Sequence, residues 1–308
     1  MPKHLSRPPK IIVILGPTAS GKSELAVKLA KKFNAEIISA DSRQVYKGLD
    51  IGSGKITKKE MRGVPHHLLS ITSPKATFTV AQYQKLAKKA LQKIIKSGKL
   101  SILVGGTGLY IKAVVDNLEI PRVKPNPRLR KKLEKKLKEN GLNFLYQKLI
   151  KLDPEAGYII DRHNPRRVIR ALEITLQTKK PFSAQRKQGE KMFNALKIGL
   201  KLPPEELKET IEKRIEQMTK DGLIQEVKNL IKKYPTELPV FDAIGYREII
   251  NYIQGKISLE EAINQIKKNT WHYVKRQMTW FKKDKEIVWV ANQKGAENLI
   301  NKFLVGRL

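Results

Sequence analysis

The sequence contains no cysteine, which removes disulfides, thiolate nucleophiles and Cys-ligated zinc. A reducing cytoplasm is the expected location. Acidic residues are scarce: 29 Asp and Glu stand against 62 Lys and Arg, a formal charge of +33. Long apolar runs are missing too. The first, residues 11–15, is far shorter than a signal-peptide core or a membrane span, and it feeds directly into a glycine loop. A soluble, unsecreted protein with no membrane partner is expected. There is no internal repeat, heptad array or low-complexity tract beyond the lysine bias.

What is present is apolar material at regular periods. With 308 residues, 40% of them hydrophobic, the chain can build one large or two modest domains around a substantial core. The positive excess is spread over the whole length. A field of that sign attracts polyanions, chiefly nucleic acid or an anionic membrane. Pairs such as Lys131-Lys132 and Lys135-Lys136 equally suit a lysine-decorated solvated helix, and composition leaves both readings standing.

Residues 11–15 (IIVIL) form a β-branched run of the kind buried on both faces of a parallel sheet. Residues 36–40 and 100–104 are two more, each separated from its predecessor by helical periodicity, which is βαβ grammar. The helix before the third strand spans about 80–96, with Val80, Tyr83, Leu86, Ala90, Leu91 and Ile94 on one face, and stops at Gly98. After Asn117 the texture turns to Pro and charge, with helices expected at about 128–139, 143–152 and 165–177. Strand texture resumes at 195–203. A long helix over 204–234, broken at Gly222, another over 258–281 and a terminal strand at 287–290 complete the chain. The expected fold class is therefore α/β: a P-loop-containing parallel sheet flanked by helices (1–120 and 195–308), with an all-helical insertion domain at 121–194.

Gly16-Pro17-Thr18-Ala19-Ser20-Gly21-Lys22-Ser23 satisfies GxxxxGK[ST] between a strand and a helix. Glycines let backbone N–H groups turn toward an anion, the helix N-terminus adds its dipole, Lys22 adds charge, and the Ser23 hydroxyl can ligate Mg2+. A nucleotide-hydrolysing enzyme also wants a carboxylate at the tip of a second strand. Here the tip reads Val104-Gly105-Gly106-Thr107 and offers none. The acid appears instead at Asp41, just past the strand that follows the loop. Ligands sit at the carboxyl ends of strands in open α/β sheets, so the loop, Asp41 and Thr107 should face one crevice. Asp41 could accept a proton from an acceptor nucleophile, or simply close an Asx turn.

These residues resemble the tRNA dimethylallyltransferases, also called tRNA isopentenyltransferases, in the bacterial form that lacks a C-terminal zinc finger. The resemblance covers nearly the whole chain. It rests on GPTASGKS, ADSRQVYKGLDIGSGK (40–55), GVPHHLL (63–69), LVGGTGLYIKA (103–113), NPRRVIRALEI (164–174), IEKRIEQMTKDGLIQEV (211–227), AIGYREI (243–249) and KRQMTWF (275–281), in that order. It implies transfer of a dimethylallyl group from dimethylallyl diphosphate to the exocyclic amine of the adenosine 3′ to the anticodon. The loop would then hold an isoprenoid diphosphate, with Mg2+ as cofactor. By the same resemblance Asp41 deprotonates the amine, Thr107 lies near the adenine, and Arg214 closes on the diphosphate. Contacts to tRNA are implied for Asp41, Ser42, Arg43, Gln44, Thr107, Arg130, Arg166, Arg167, Val168, Ile169, Arg170, Gly245, Tyr246 and Arg247. From the residues alone, Arg214, Arg166, Arg167 and Arg170 could equally be solvated helix faces. The target base must leave its stack to be reached, and a monomer is expected.

Several positions depart from the family pattern. Thr210 and Trp271 stand where arginines are frequent, Gly54 and Ile56 where a small residue and proline are usual, and Ser70 and Gln82 where aspartates are common. Adjacent His66 and His67 rarely converge on one metal and are expected to build loop or substrate-access structure. Trp280 and Trp289 sit in apolar texture and are expected in the core. Two other readings remain open: a small-molecule P-loop kinase with Asp41 on the acceptor hydroxyl, and a non-catalytic RNA-binding protein with a relic loop.

Overall fold

The computed structural model describes residues 8–121, 123–185 and 187–308. They divide into two compact units, one running up to Val115 and resuming over Lys191–Leu308, the other spanning Asp116–Glu190.

In the first unit, β1 (Lys10–Leu15) leads through the glycine loop into α1 (Lys22–Lys32). Then come β2 (Ala35–Ser39), the short α2 (Lys58–Met61), a two-residue β3 (His66–His67), α3 (Val80–Lys96), β4 (Leu100–Gly105) and α4 (Gly108–Val115). Threonine 79 starts α3 with a capping box shared with Gln82, and Ser97 with left-handed Gly98 (φ 73°) ends it.

The second unit carries α5 (Pro127–Leu152), the short α6 (Ala156–Ile159) and α7 (Pro165–Thr178). Asn126-Pro127 and Asn164-Pro165 start α5 and α7 alike: each Asn side chain caps an amide three residues on, and each Pro fills the first helical position. Gly141, at φ 78° and ψ 171°, breaks α5 into the two helical stretches that the sequence pattern separates. Leu133, Leu145, Leu149, Val168 and Leu172 form this unit's own core.

The chain then returns through β5 (Asn194–Leu200), α8 (Pro204–Lys220), α9 (Leu223–Ile231), α10 (Tyr246–Ile253), α11 (Leu259–Phe281), β6 (Ile287–Val290) and α12 (Gln293–Leu304). Gly222, at φ 99°, separates α8 from α9. The six strands are all parallel, in the order β3-β2-β4-β1-β5-β6. Central β1 explains its composition: Ile12 and Ile14 pack toward Leu25, Leu29, Ile300 and Phe303, while Ile11, Val13 and Leu15 pack toward Tyr83, Leu91, Ile111 and Val114. A third core lies among α8, α9, α10 and α11, with Leu207, Ile215, Val227, Tyr246 and Val274. No described helix is long and apolar enough to cross a membrane.

His66 and His67 form an edge strand against Ile37 and Ile38, a pairing too short for sequence periodicity to reveal. The His66 Nδ1 bonds to the Val64 carbonyl at 2.8 Å, and His67 Nε2 meets Glu36, which also holds Lys99 at 2.8 Å. The two imidazoles serve the sheet edge separately, and no metal-ligating cluster occurs among the described residues. Trp280 and Trp289 pack against the core on the α3 and α4 side of the sheet.

Candidate active site

Leu15, Ser39 and Gly105 end three adjacent strands, so the segments that leave them meet at one rim of the sheet. A crevice of about 50 Å³ opens there, lined by Thr18, Lys22, Ser23, Ser39, Asp41, Gln44, Gly54, His66 and Arg214 among others. The loop, Asp41 and the long-helix arginine, which the sequence only suggests belong together, therefore face one space.

The loop is built by its backbone. Gly21 occupies the cap of α1 at φ 81°, in the left-handed region, and provides no capping side chain. The first amides of α1 are thus left facing the crevice, the arrangement that favours an anion. Ala19 also takes a left-handed φ, 63°. Lys22 Nζ donates to the Pro17 carbonyl at 3.0 Å, which folds the side chain over the loop. Burial, with Arg214 beside it, lowers the Lys22 ammonium to about 8, against an opposing pull from Asp41. Arg214 reaches in from α8, its Nη1 3.3 Å from Thr18 Oγ1 and its Nη2 3.5 Å from the Gly54 carbonyl. Ser23 lines the same crevice, and its hydroxyl is a hard oxygen donor of the kind Mg2+ takes when substrate phosphates supply the other ligands.

Asp41 closes an Asx turn: Oδ1 accepts from the Arg43 amide at 2.8 Å and the Gln44 amide at 3.3 Å. The turn uses one carboxylate oxygen and leaves the other for the crevice, so the two roles open to Asp41 are compatible. Gln44 in turn accepts from the Ser39 hydroxyl and donates to the Gly54 carbonyl at 3.1 Å. Thr107 Oγ1 accepts from the Ser42 amide at 3.1 Å, and Tyr273 on α11 lies near Thr107. Burial first, then Asp41, pushes that phenol up to about 12, so it stays protonated.

The missing strand-tip carboxylate has a steric cause. A Cβ at Gly105 would lie 2.2 Å from the Ala40 carbonyl oxygen, so the chain leaving β2 excludes any side chain there. A Cβ at Gly106 would lie 2.3 Å from Gln277 Nε2. Gln277, 5% exposed on α11, accepts from the Thr18 amide at 2.9 Å and donates to the Gly106 carbonyl at 2.9 Å. It ties the loop to the strand tip. No short motif gives Gln277 a role, although a glutamine on the apolar stripe with Val274 and Phe281 signals a buried amide seeking partners.

Other predicted residues fall into two groups. In the helical unit, Arg166 and Arg167 are exposed at the start of α7. Arg130 and Arg170 both donate to the fully buried Glu173, at 2.7 and 2.6 Å, and remain 39% and 35% exposed. Val168 and Ile169, expected at an RNA contact, are 0% and 7% exposed and face the unit's core, because they fall on the inward stripe of α7. Tyr246 is likewise corrected: it is fully buried and donates to Glu226 at 2.7 Å, and its neighbour Gly245 is buried too. Arg247 points out, 55% exposed beside Glu248. Trp271 packs against the α8–α11 core, with Lys208 Nζ 5.3 Å from its ring centre.

A family described as IPP transferase matches residues 44–284. A tRNA dimethylallyltransferase of Thermoanaerobacter sp. is 45% identical over 310 residues, 97% of this chain and 98% of that one. The Bacillus subtilis protein of the same name is 42% identical over 281 residues, 91% and 90% of the two chains. Among solved structures, the tRNA isopentenylpyrophosphate transferase of Bacillus halodurans superposes with a TM-score of 0.71 at 39% identity, covering 97% and 96%. A eukaryotic dimethylallyltransferase acting on tRNA gives 0.79 at 29% identity, covering 97% of this chain and 80% of that one.

Proposed function

The chain belongs to the IPP transferase family, and we propose that it moves the dimethylallyl group of dimethylallyl diphosphate onto the exocyclic amine of the adenosine 3′ to the anticodon of tRNA. The observation that carries this reading is the meeting of Lys22, Arg214 and Asp41 around one crevice, two cations and one carboxylate.

Breaking the allylic C–O bond leaves negative charge on diphosphate and positive charge on carbon. Preorganised donors aimed at the oxygen are the most effective way to lower that barrier. The α1 amides, Lys22 and Arg214 hold the diphosphate and receive this charge. Ser23 would hold Mg2+ together with the phosphate oxygens, and the ion supplies further neutralisation of the leaving group. Asp41 takes the proton that the amine releases as its nitrogen bonds to carbon. Thr107, fixed by the Ser42 amide, borders the acceptor side. The adenine amine is inaccessible in a stacked loop, so the base swings out to reach Asp41. The exposed Arg166 and Arg167, with the outer faces of Arg130 and Arg170, take tRNA phosphates. The protein works as a cytoplasmic monomer in this scheme.

Incubation with unmodified tRNA and dimethylallyl diphosphate, followed by mass spectrometry of the nucleosides, should yield dimethylallyl-adenosine. Phosphate label passing from ATP to a small acceptor, with no prenylated nucleoside, would instead favour a kinase.

Lys22 gives a pH dependence with a definite sign. Its charge is lost as pH rises through about 8, and a bound diphosphate favours the charged form. Donor affinity, measured by calorimetry, should be level below that value. Above it, affinity should weaken by up to about tenfold per pH unit. Constant affinity across the alkaline range would refute the placement of Lys22 on the donor.

Replacing Arg166 with alanine should weaken tRNA binding and lower the slope of log Kd against log salt by about 1, with the donor KM unchanged. An unaltered slope in filter-binding titrations would remove Arg166 from the phosphate contacts.

A further inference from the structure

Residues 50–55 form a tight strap between the two halves of the crevice. The Gly54 amide donates to Ile51 at 2.8 Å and the Lys55 amide to Asp50 at 2.9 Å. The Gly54 carbonyl then accepts from Gln44 on the Asp41 side and from Arg214 on the loop side, at 3.1 and 3.5 Å. Gly54 itself is left-handed, φ 57°, and a Cβ there would lie 1.5 Å from Arg214 Nη2. The position of Arg214 is therefore set by where this strap runs.

Glu226, on α9, grips the strap by its backbone. Its Oε2 accepts from the Asp50 and Ile51 amides at 3.0 and 2.7 Å, and its Oε1 from the Gly52 amide at 3.1 Å and the Tyr246 hydroxyl at 2.7 Å. Three successive amides converging on one anion make a backbone nest, here filled by an internal carboxylate. The Tyr246 ring closes the other side, since a Cβ at Gly52 would lie 2.6 Å from its Cζ. Neither Glu226 nor Tyr246 lines the crevice.

We propose that Glu226 is a positioning residue for dimethylallyl transfer: by holding the amides of Asp50, Ile51 and Gly52 it places the Gly54 carbonyl and, through it, the Arg214 guanidinium. This rests on the function proposed above. A glutamine of the same shape would point its NH2 group at the Asp50 and Ile51 amides in one orientation and at the Gly52 amide in the other, so at least one amide loses its acceptor without loss of volume.

The test is a double-mutant cycle on steady-state prenylation of tRNA, run well below the measured melting temperature of every variant. Glu226→Gln should lower kcat by about tenfold or more, because misplacing a catalytic group by about 1 Å can cost up to ~10²-fold. The tRNA KM should stay within about twofold, and adding Glu226→Gln to Arg214→Ala should cost nothing further, as expected for two residues acting as one unit. Tyr246→Phe, which keeps the three amide bonds, should stay within about threefold of wild type. Losses that multiply in the double mutant, or wild-type kcat in Glu226→Gln, would overturn the proposal. If Glu226→Gln does not fold, Glu226→Asp keeps the charge one methylene short and enters the same cycle with the same outcomes. A wild-type protein that prenylates nothing defeats the function; active wild type with uncoupled variants defeats only the role of Glu226.

Discussion

Asp41→Asn should lower kcat for tRNA prenylation by about 10²–10⁴-fold, the range that a positioned general base contributes, while tRNA affinity and melting temperature hold. The choice of asparagine matters. Asp41 Oδ1 accepts the Arg43 and Gln44 amides that close the turn after β2, and the asparagine carbonyl can accept both. Only the capacity to take a proton is lost. Alanine would also release the turn, and with it Gln44, whose side chain reaches the Gly54 carbonyl. Single-turnover rates with saturating donor, alongside tRNA binding by filter assay, separate the two effects. An asparagine variant that turns over at the wild-type rate would leave Asp41 with a structural role alone.

Gly54→Ala should be almost as damaging, though the residue bears no chemistry. An added Cβ would lie 1.5 Å from Arg214 Nη2 and 2.6 Å from its Cζ, so the guanidinium must leave. Losing one donor to a developing anion costs about 10²–10³-fold in kcat. The left-handed backbone, φ 57°, adds about 1–2 kcal/mol of strain with any side chain. The signature is a large fall in kcat and weaker donor binding, with tRNA affinity kept. Full activity in Gly54→Ala would mean that Arg214 tolerates another position, and the anion would have to rest on Lys22 and the loop.

How far the sequence could be read differs from element to element. The run IIVIL reads as a doubly covered strand because both of its faces are apolar, and it is the sheet's central β1. Gly141 and Gly222 read as helix breaks because only glycine enters their backbone regions cheaply. The His66–His67 strand is too short for a period to register, and α12 lies beyond the last strand that the sequence pattern marks. Matching a family segment brings every residue in it along, whichever way it points. On α7 this gathered the outward Arg166 and Arg167 together with the inward Val168 and Ile169. Around α10 it gathered Tyr246, which turns in toward Glu226 rather than out to RNA.

By itself the sequence determined the glycine loop between β1 and α1, the βαβ order, the carboxylate past β2 and the family, since each is written in contiguous residues or a short period. Only the tertiary structure decided which distant groups share the crevice. Arg214 meets Gly54 across 160 residues, and Gln277 meets the Thr18 amide across 259. Such contacts are set by how helices pack on the sheet, through summed burial and shape, and no local pattern encodes them. The roles of Gln277 and Glu226 depend on that packing: one buried amide and one carboxylate hold the backbone on which the charged residues stand.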